Sequence, residues 1–361
     1  VMRVHVVGTG LIGTSLGLAL TRHGDEVTLE DAVPTHAALA RDLGAGRLPG
    51  EGETLDPQLV VVAAPPDVTA GCVATALERW PSAAVTDVAS VKGAVLARLR
   101  AADADLGRYC GSHPMAGRER SGAVSGRHDL FDGRAWVLTP TAETRPQARE
   151  LVADVARAAG AAVLELPPEG HDRAVAVVSH VPQLAASLVA ARLETLDEDA
   201  VALAGQGLRD VTRIAASDPH LWTQILAGNA PAVREVLAGL AEDLDRLLEA
   251  LAALADGGDA PGARGALAGV IAAGNLGQAR IPGKHGAAPT SLETVRVLLP
   301  DEPGQLGRLF ADIGAIGVNV EEFHLDHGLG QQLGLAEVEV LPAAAAGLAQ
   351  ALGERGWRIH G

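Results

Sequence analysis

The stretch Val4-His5-Val6-Val7-Gly8-Thr9-Gly10-Leu11-Ile12-Gly13 constrains the N-terminal part of this chain more than any other feature. A short β-branched run meets a glycine-rich turn, and the turn opens an apolar helix through Leu16 and Leu20. In a strand–turn–helix of this spacing the first glycine allows the tight turn. The second brings bare backbone up to a pyrophosphate, and the third lets helix and sheet pack closely. The helix N-terminus then presents N–H groups and a partial positive charge to the phosphates. A G-x-G-x-x-G alone is a weak signal. Here an acidic pair, Glu30-Asp31, follows about 20 residues on at the end of a second strand, as the dinucleotide motif requires. The cofactor-binding set read this way is Gly8, Thr9, Gly10, Leu11, Ile12, Gly13 and Asp31, with Glu30 as the fallback acid. Ala32, Val33 and Pro34 follow Asp31, so no arginine greets a 2′-phosphate and NAD is favoured over NADP. Asp31 also reads as a turn or helix cap.

Strands and helices alternate onward from this point. Leu59-Val60-Val61-Val62-Ala63-Ala64 is a continuous apolar run, as expected of a parallel strand covered on both faces. It ends at Ala64 and Pro65, a strand's carboxyl end, where ligands bind in such folds. Further strands are expected at 84–88, up to Gly111, at 136–139 and at 162–166, making residues 1–167 a doubly wound α/β domain of Rossmann type. Residues 168–284 change to Ala/Leu-rich helical stretches at 171–193, 200–214, 221–226, 232–254 and 263–273. Few polar breaks interrupt them, so this all-helical domain must bury several faces, against itself or a second subunit. Residues 256–261 and 281–291, rich in Gly and Pro, read as a break and a linker. The tail, 292–361, has the order β-α-β-β-α-β of a ferredoxin-like unit, with a strand expected at 318–325.

Net charge is −16 with no basic block, which argues against nucleic acid or an anionic membrane as the main partner. An anionic substrate would need local arginines, and the chain has only two lysines, Lys92 and Lys284. Two cysteines, Cys72 and Cys110, are too few for a disulfide framework, so a reduced cytoplasmic protein is expected. The N-terminus runs directly into a strand without a signal-peptide pattern, and no apolar run is expected to span a bilayer. No motif requires a metal.

Ser90 and His113 both follow strands of the α/β domain and fall at the carboxyl edge of its sheet, where a nicotinamide would lie. Arg213 and Trp222 lie in the helical domain, on either side of Ser217-Asp218-Pro219. Singly, each residue has a plainer reading: His113 as a loop histidine bonded to backbone, Ser90 as the cap of a helix beginning near Val91, Trp222 as a core anchor. His171-Asp172 reads first as a helix start, and His180 as a structural histidine.

Jointly, the motifs resemble the prephenate and arogenate dehydrogenase family of tyrosine biosynthesis. The matching pieces are Gly8-Thr9-Gly10-Leu11-Ile12-Gly13, Asp87-Val88-Ala89-Ser90-Val91-Lys92, His113-Pro114-Met115-Ala116-Gly117, Leu130-Phe131, His171-Asp172, Ser179-His180-Val181-Pro182 and Arg209-Asp210-Val211-Thr212-Arg213-Ile214-Ala215. The resemblance implies oxidative decarboxylation of prephenate to 4-hydroxyphenylpyruvate with NAD, or the arogenate reaction. It implies His113 as the catalytic base, assisted by Ser90. Substrate would be held by Arg213, Trp222, Gln183, Glu119, Arg209 and Asp210, and the helical domain would form a homodimer. Gln183 stands where many members carry a second histidine. The tail resembles an ACT domain through Asp301-Glu302-Pro303-Gly304-Gln305-Leu306 and Gly317-Val318-Asn319, which implies tyrosine as an effector. β-Hydroxyacid dehydrogenases share the two-domain plan but use a lysine on the second domain, and none lies between Lys92 and Lys284. A non-catalytic sensor of NAD and an amino acid is the reading of another class, and the intact Ser90, His113 and Arg213 speak against it.

Overall fold

The computed structural model describes residues 1–117, 122–255, 260–282, 291–327 and 333–360. The chain divides into two compact units, Val1–Glu242 and Asp243–Gly361. The first opens with β1 (Arg3–Val7), α1 (Leu11–His23), β2 (Glu26–Glu30), α2 (Pro34–Asp42), β3 (Leu59–Val62), α3 (Pro66–Arg79), β4 (Ala84–Asp87) and α4 (Gly93–Ala101). The four strands form a parallel sheet in the order β2-β1-β3-β4. The apolar run of β3 is buried throughout because it faces two cores. Val61 belongs with Val4, Val6 and Leu16 on one side, and Val60 and Val62 with Val73, Val85 and Leu96 on the other. Connections leave β1 toward opposite edges, so a crevice opens at the carboxyl ends of β1 and β3.

The later strands depart from the single sheet expected. Strands β5 (Gly111–Pro114), β6 (Ala135–Thr139) and β7 (Ala162–Glu165) form a separate three-stranded sheet, with α5 (Pro146–Ala158) between the last two. β5 runs antiparallel to β6. Among the described residues, a bridge between Val85 and Tyr109, with Cys110 N–H donating to Val85 O, is the backbone tie to the first sheet. Beyond that point side chains replace the rungs. Ser112 Oγ donates to Asp87 O at 2.9 Å, and Lys92 Nζ donates to Ser112 O at 2.8 Å.

The helices that follow are α6 (Pro168–Val175), α7 (Val181–Ala190), α8 (Glu198–Val201), α9 (Gln206–Thr212), α10 (Pro219–Gly228) and α11 (Ala230–Ala255). The helix expected over 171–193 is interrupted by a π turn, Ala176–His180. Pro182 explains it: the ring removes the N–H that would bond four residues back, and the wider turn absorbs the mismatch. One expectation is corrected here. Pro168–Leu193 is long and apolar enough, by length and composition, to cross a membrane. Residues 174–191 contain no Asp, Glu, Lys or Arg, and averaging over them tolerates the polar residues that seemed to break the run. Those polar groups are spent inside the protein: His171, Asp172, His180 and Gln183 are all buried.

The second unit contains the end of α11, then α12 (Ala263–Gln278), β8 (Glu293–Pro300), α13 (Gln305–Ile316), β9 (Glu322–His327), β10 (Leu333–Val340), α14 (Pro342–Glu354) and β11 (Arg358–His360). The sheet is antiparallel in the order β11-β8-β10-β9, and its strands alternate as the sequence does. Val295, Val297, Leu299, Ala336, Val338 and Val340 face Leu309, Ile313, Leu348 and Leu352 of the two helices. β9 starts later than expected, at Glu322. Gly317, with φ +81°, closes α13 in the left-handed conformation, and Val318 N–H is committed to Ile313 O. The expected break and linker fall largely outside the described residues, Lys284 included.

Candidate active site

The glycine turn sits at the crevice as its sequence required. Gly8 has φ +98°, and a Cβ there would stand 2.4 Å from Ala63 O, so only glycine lets β1 and β3 end side by side. A Cβ on Gly13 would strike Gly8 O. Gly10 differs, because nothing lies within 4 Å of where its Cβ would be. It is the N-cap of α1, and no side chain caps that helix. Open backbone and an uncapped helix start are what a pyrophosphate needs, so the residues present fit a dinucleotide. Ala64 and Pro65 flank the same crevice at the end of β3. Asp31 reaches back to the turn. Its Oδ2 accepts from Thr9 N at 2.7 Å and Thr9 Oγ1 at 2.9 Å, and its Oδ1 accepts from Val33 N at 2.9 Å. The polar groups of Thr9 therefore hold the acid. Glu30 is occupied by His5 and Arg79.

His113 lies inside β5, not in a loop after a strand as expected. Alternation along β5 sends Ser112 toward β4 and His113 to the opposite face, where α6 meets it. His113 Nδ1 is 2.9 Å from His171 Nε2, and His171 Nδ1 is 2.9 Å from Asp172 Oδ1. Asp172 does not cap its own helix. Its two oxygens accept from Lys92 N and Gly93 N at 2.9 and 2.8 Å, capping α4 from another element. Asn229, at the end of α10, donates to Asp172 O and lies 3.1 Å from His180 Nδ1. Below the site Lys92 Nζ pairs with Asp87, which also accepts from Tyr109 Oη at 2.6 Å. All three of these side chains are buried, so the pair is matched in charge and hydrogen-bonded, as a buried pair must be.

Burial pushes the His113 imidazole well below its usual pKa, and repulsion from any positive charge at His171, Lys92 or His180 acts in the same direction. Burial likewise lowers His180, to about 4. Burial opposes ionisation of Asp172, but hydrogen bonds from His171, Lys92 and Gly93 outweigh it and hold the carboxyl below the usual range. The site thus contains an ionised carboxylate and a neutral His113 at pH 7.

The reading of Ser90 as a helix cap is corrected. α4 begins at Gly93 with Asp172 as its cap, and Ser90 makes no hydrogen bond to His113 or any other described residue. The helical wall carries the remaining candidates. Trp222 in α10 meets His180 edge to face at 6.1 Å. Gln183 in α7 is buried, donates to Ser187 Oγ at 3.4 Å, and lies 3.3 Å from Ser217 Oγ. Ser217 Oγ also donates to Ile214 O, inside the turn Arg213–Ala215 that carries Arg213. Arg213 is exposed, as are Arg209 and Asp210, whose Oδ1 accepts from Gln206. Glu119 lies outside the described residues. Among the described residues, one trio has metal-ligand spacing, Glu322, His324 and Glu339, and it belongs to the second unit.

Residues 16–165 match the family model for the prephenate dehydrogenase nucleotide-binding domain, and 167–259 match that for the prephenate dehydrogenase dimerization domain. A protein of Streptomyces niveus named "Probable prephenate dehydrogenase NovF" is 38% identical over 355 residues, 98% of each chain. The chain belongs to the prephenate dehydrogenase family. Among solved structures, prephenate dehydrogenase of A. aeolicus, in complex with hydroxyphenyl propionate and NAD+, is similar with a TM-score of 0.66 and 29% identity, covering 76% of this chain and 98% of that one. Arogenate dehydrogenase of Synechocystis gives a TM-score of 0.59 and 28% identity, covering 70% and 92%.

As a prephenate dehydrogenase family member the chain is an NAD-dependent oxidoreductase, and its Rossmann-like part is the NAD-binding domain. Reading the sequence for single chemical motifs missed His171, Asp172, Lys92 and Asn229 as parts of the site. The signal available for the first two was an acid directly following a histidine in the family-like segment. Nothing in the sequence indicated that they pair with His113.

Proposed function

We propose that this protein is a prephenate dehydrogenase that converts prephenate to 4-hydroxyphenylpyruvate and CO2 in the route to L-tyrosine. The observation that carries the reading is a half-buried, neutral His113 backed by His171 and Asp172, in a chain with a dinucleotide crevice. Bound NAD+ supplies the hydride-accepting chemistry. His113 takes the proton of the C4 hydroxyl as the hydride departs, and loss of the ring carboxylate as CO2 leaves an aromatic ring. Arg213 holds a carboxylate, Trp222 forms a wall of the ring pocket, and Gln183 offers a neutral amide where a charged group would otherwise act. Arg209 and Asp210 belong to the same polar rim, Glu119 gates or polarises the entrance as the family resemblance implies, and Ser90 contacts the substrate hydroxyl or His113 once substrate is present. Incubation with prephenate and NAD+ is expected to yield NADH and 4-hydroxyphenylpyruvate in equal amounts; no NADH from prephenate would sink the reading. Arogenate is the second substrate to try. Its ammonium would want a carboxylate, and residues 174–183 contain none, so kcat/KM is expected to be higher for prephenate.

Asp31 sets the choice of cofactor in this reading. Its carboxylate is held at the glycine turn by Thr9, placed for the adenosine ribose hydroxyls and against a 2′-phosphate. Asp31→Ala is expected to raise KM for NAD+ and to relax discrimination against NADP+. Equal efficiency of the unaltered protein with both cofactors would remove Asp31 from this role.

The protein is a homodimer in the cytoplasm in this reading. Cys72 and Cys110 are unpaired thiols. On α11, Leu240, Leu244, Leu248 and Leu251 form one stripe and are 46–55% exposed in the single chain. A stripe of this kind, within the segment matched by the dimerization-domain model, needs covering. Sedimentation at micromolar concentration is expected to give a dimer, and a monomer would contradict this.

The C-terminal unit is proposed as an ACT-type sensor of tyrosine. Gly304 opens α13 with φ +90° and no capping side chain, which suits an amino acid's carboxylate. Gln305 Oε1 nearby is buried and lacks a hydrogen-bond partner, an acceptor suited to an ammonium. Asn319 is less available than its sequence position implied, since its amide donates to Glu321. Tyrosine is expected to inhibit the full chain, with phenylalanine as the control. Absence of inhibition, or inhibition purely competitive with prephenate, would leave the tail no sensing role.

A further inference from the structure

We propose that Asp172 and His171 are positioning residues that fix the tautomer of His113, holding Nδ1 protonated and Nε2 bare. The inference rests on the reading of His113 as the base, and it follows from counting protons along one chain of hydrogen bonds. Asp172 already accepts two backbone N–H groups, from Lys92 and Gly93, so its carboxylate is an acceptor on every side. The short contact from its Oδ1 to His171 Nδ1 therefore requires a proton on that nitrogen. A neutral His171 protonated at Nδ1 has a bare Nε2. That nitrogen lies 2.9 Å from His113 Nδ1, and two bare nitrogens do not attract, so His113 carries its proton on Nδ1. The remaining nitrogen, His113 Nε2, is left as a lone pair, the form a base needs to take a proton from a hydroxyl.

The same chain serves after the proton arrives. An imidazolium at His113 keeps its Nδ1–H on His171, and the opposite end of the chain is a carboxylate held ionised by three hydrogen bonds. Among the described residues His171 is the hydrogen-bond partner found for His113, and Ser90 makes no hydrogen bond to it. The anchoring is rigid. His171 is fully buried, the Asp172 carboxylate is fixed to the start of α4, and Asn229 holds the Asp172 carbonyl. His171 acts on the reaction through His113.

The test reads the tautomer directly. Nitrogen-15 NMR of the full-length protein labelled at histidine, with His113 assigned by comparison with His113→Asn, is expected to show Nδ1 protonated and Nε2 pyridine-like at pH 7.5, without substrate. Steady-state kinetics add a second reading. His171→Phe keeps a ring of similar size but offers no acceptor, and it is expected to lower kcat by about 10- to 100-fold, a part of the whole general-base effect, with both KM values within about twofold. His171→Gln, which restores an acceptor oxygen, is expected to recover part of the loss. An Nε2–H tautomer in the unaltered protein overturns the proposal, as does an unchanged kcat in a folded His171→Phe. If His171→Phe does not fold, the tautomer of the unaltered protein still decides. A protein inactive on prephenate that shows the expected tautomer would defeat the functional reading and leave this one standing.

Discussion

His113→Asn is expected to lower kcat by at least about 10²-fold, the lower end of what a lost general base costs, with little change in the affinity for NAD+. Asparagine can still hydrogen-bond in the space, so the substitution removes the proton acceptor with little disturbance of packing. The dinucleotide crevice is formed by Gly8, Gly10 and Asp31 at the ends of other strands, so NAD+ binding has no reason to change. The pH dependence has a definite sign. Burial lowers the His113 pKa well below its ordinary value near 6.5, and repulsion from any positive charge nearby adds to this. A base acts when unprotonated, so activity is present above its pKa and lost as pH falls through it. The acid limb of kcat is therefore expected well below pH 6.5, with no His113-linked loss between pH 6.5 and 8. Unchanged turnover in the variant would make His113 structural. An acid limb centred at or above 6.5 would show that the ring is solvated in the working enzyme.

The parts of this molecule legible in the sequence are those with a local signal. The glycine turn and its strand and helix announce themselves within ten residues; Gly8 and Gly13 sit against backbone that leaves no room for a Cβ, and Gly10 stands open. The βαββαβ tail is equally plain, because β8 alternates and α13 is bounded by Gly304 and Gly317, both left-handed. The active site is different in kind. His113 meets His171 across 58 residues, and Asp172 caps a helix 80 residues earlier in the chain. Contacts of this range leave no periodicity. Similarly, β5 read as one more parallel strand, because apolar character gives no direction. The antiparallel pairing is with β6, while side-chain bonds among Asp87, Lys92, Tyr109 and Ser112 hold β5 beside β4, to which the Val85–Tyr109 bridge is parallel. The family-like motifs bridge this gap, since they mark residues brought together by the fold without saying how.

Arg213→Ala is expected mainly to raise KM for prephenate, and the size of the rise reports where the arginine works. In the chain by itself Arg213 is exposed on the turn after α9. An ion pair that stays in water is worth about 0–1 kcal/mol, which would raise KM no more than about fivefold. A charge-assisted, bidentate pair taken out of water costs about 2–5 kcal/mol to break, or roughly 30- to 5,000-fold. Prephenate is a dicarboxylate, and the turn carrying Arg213 is tied through Ser217 to the buried Gln183, so substrate held there would lie against the helical wall and not in open solvent. The larger range is therefore expected. Arg213→Lys is expected to recover little of it, because a point charge cannot reproduce the planar fork. Because the pair forms in the ground state as well as the transition state, kcat is expected to fall much less than kcat/KM. A rise of only a few fold would place the clamp in solvent. An unchanged KM would move it to Arg209, which lies one helical turn earlier on α9 and is exposed in the same way.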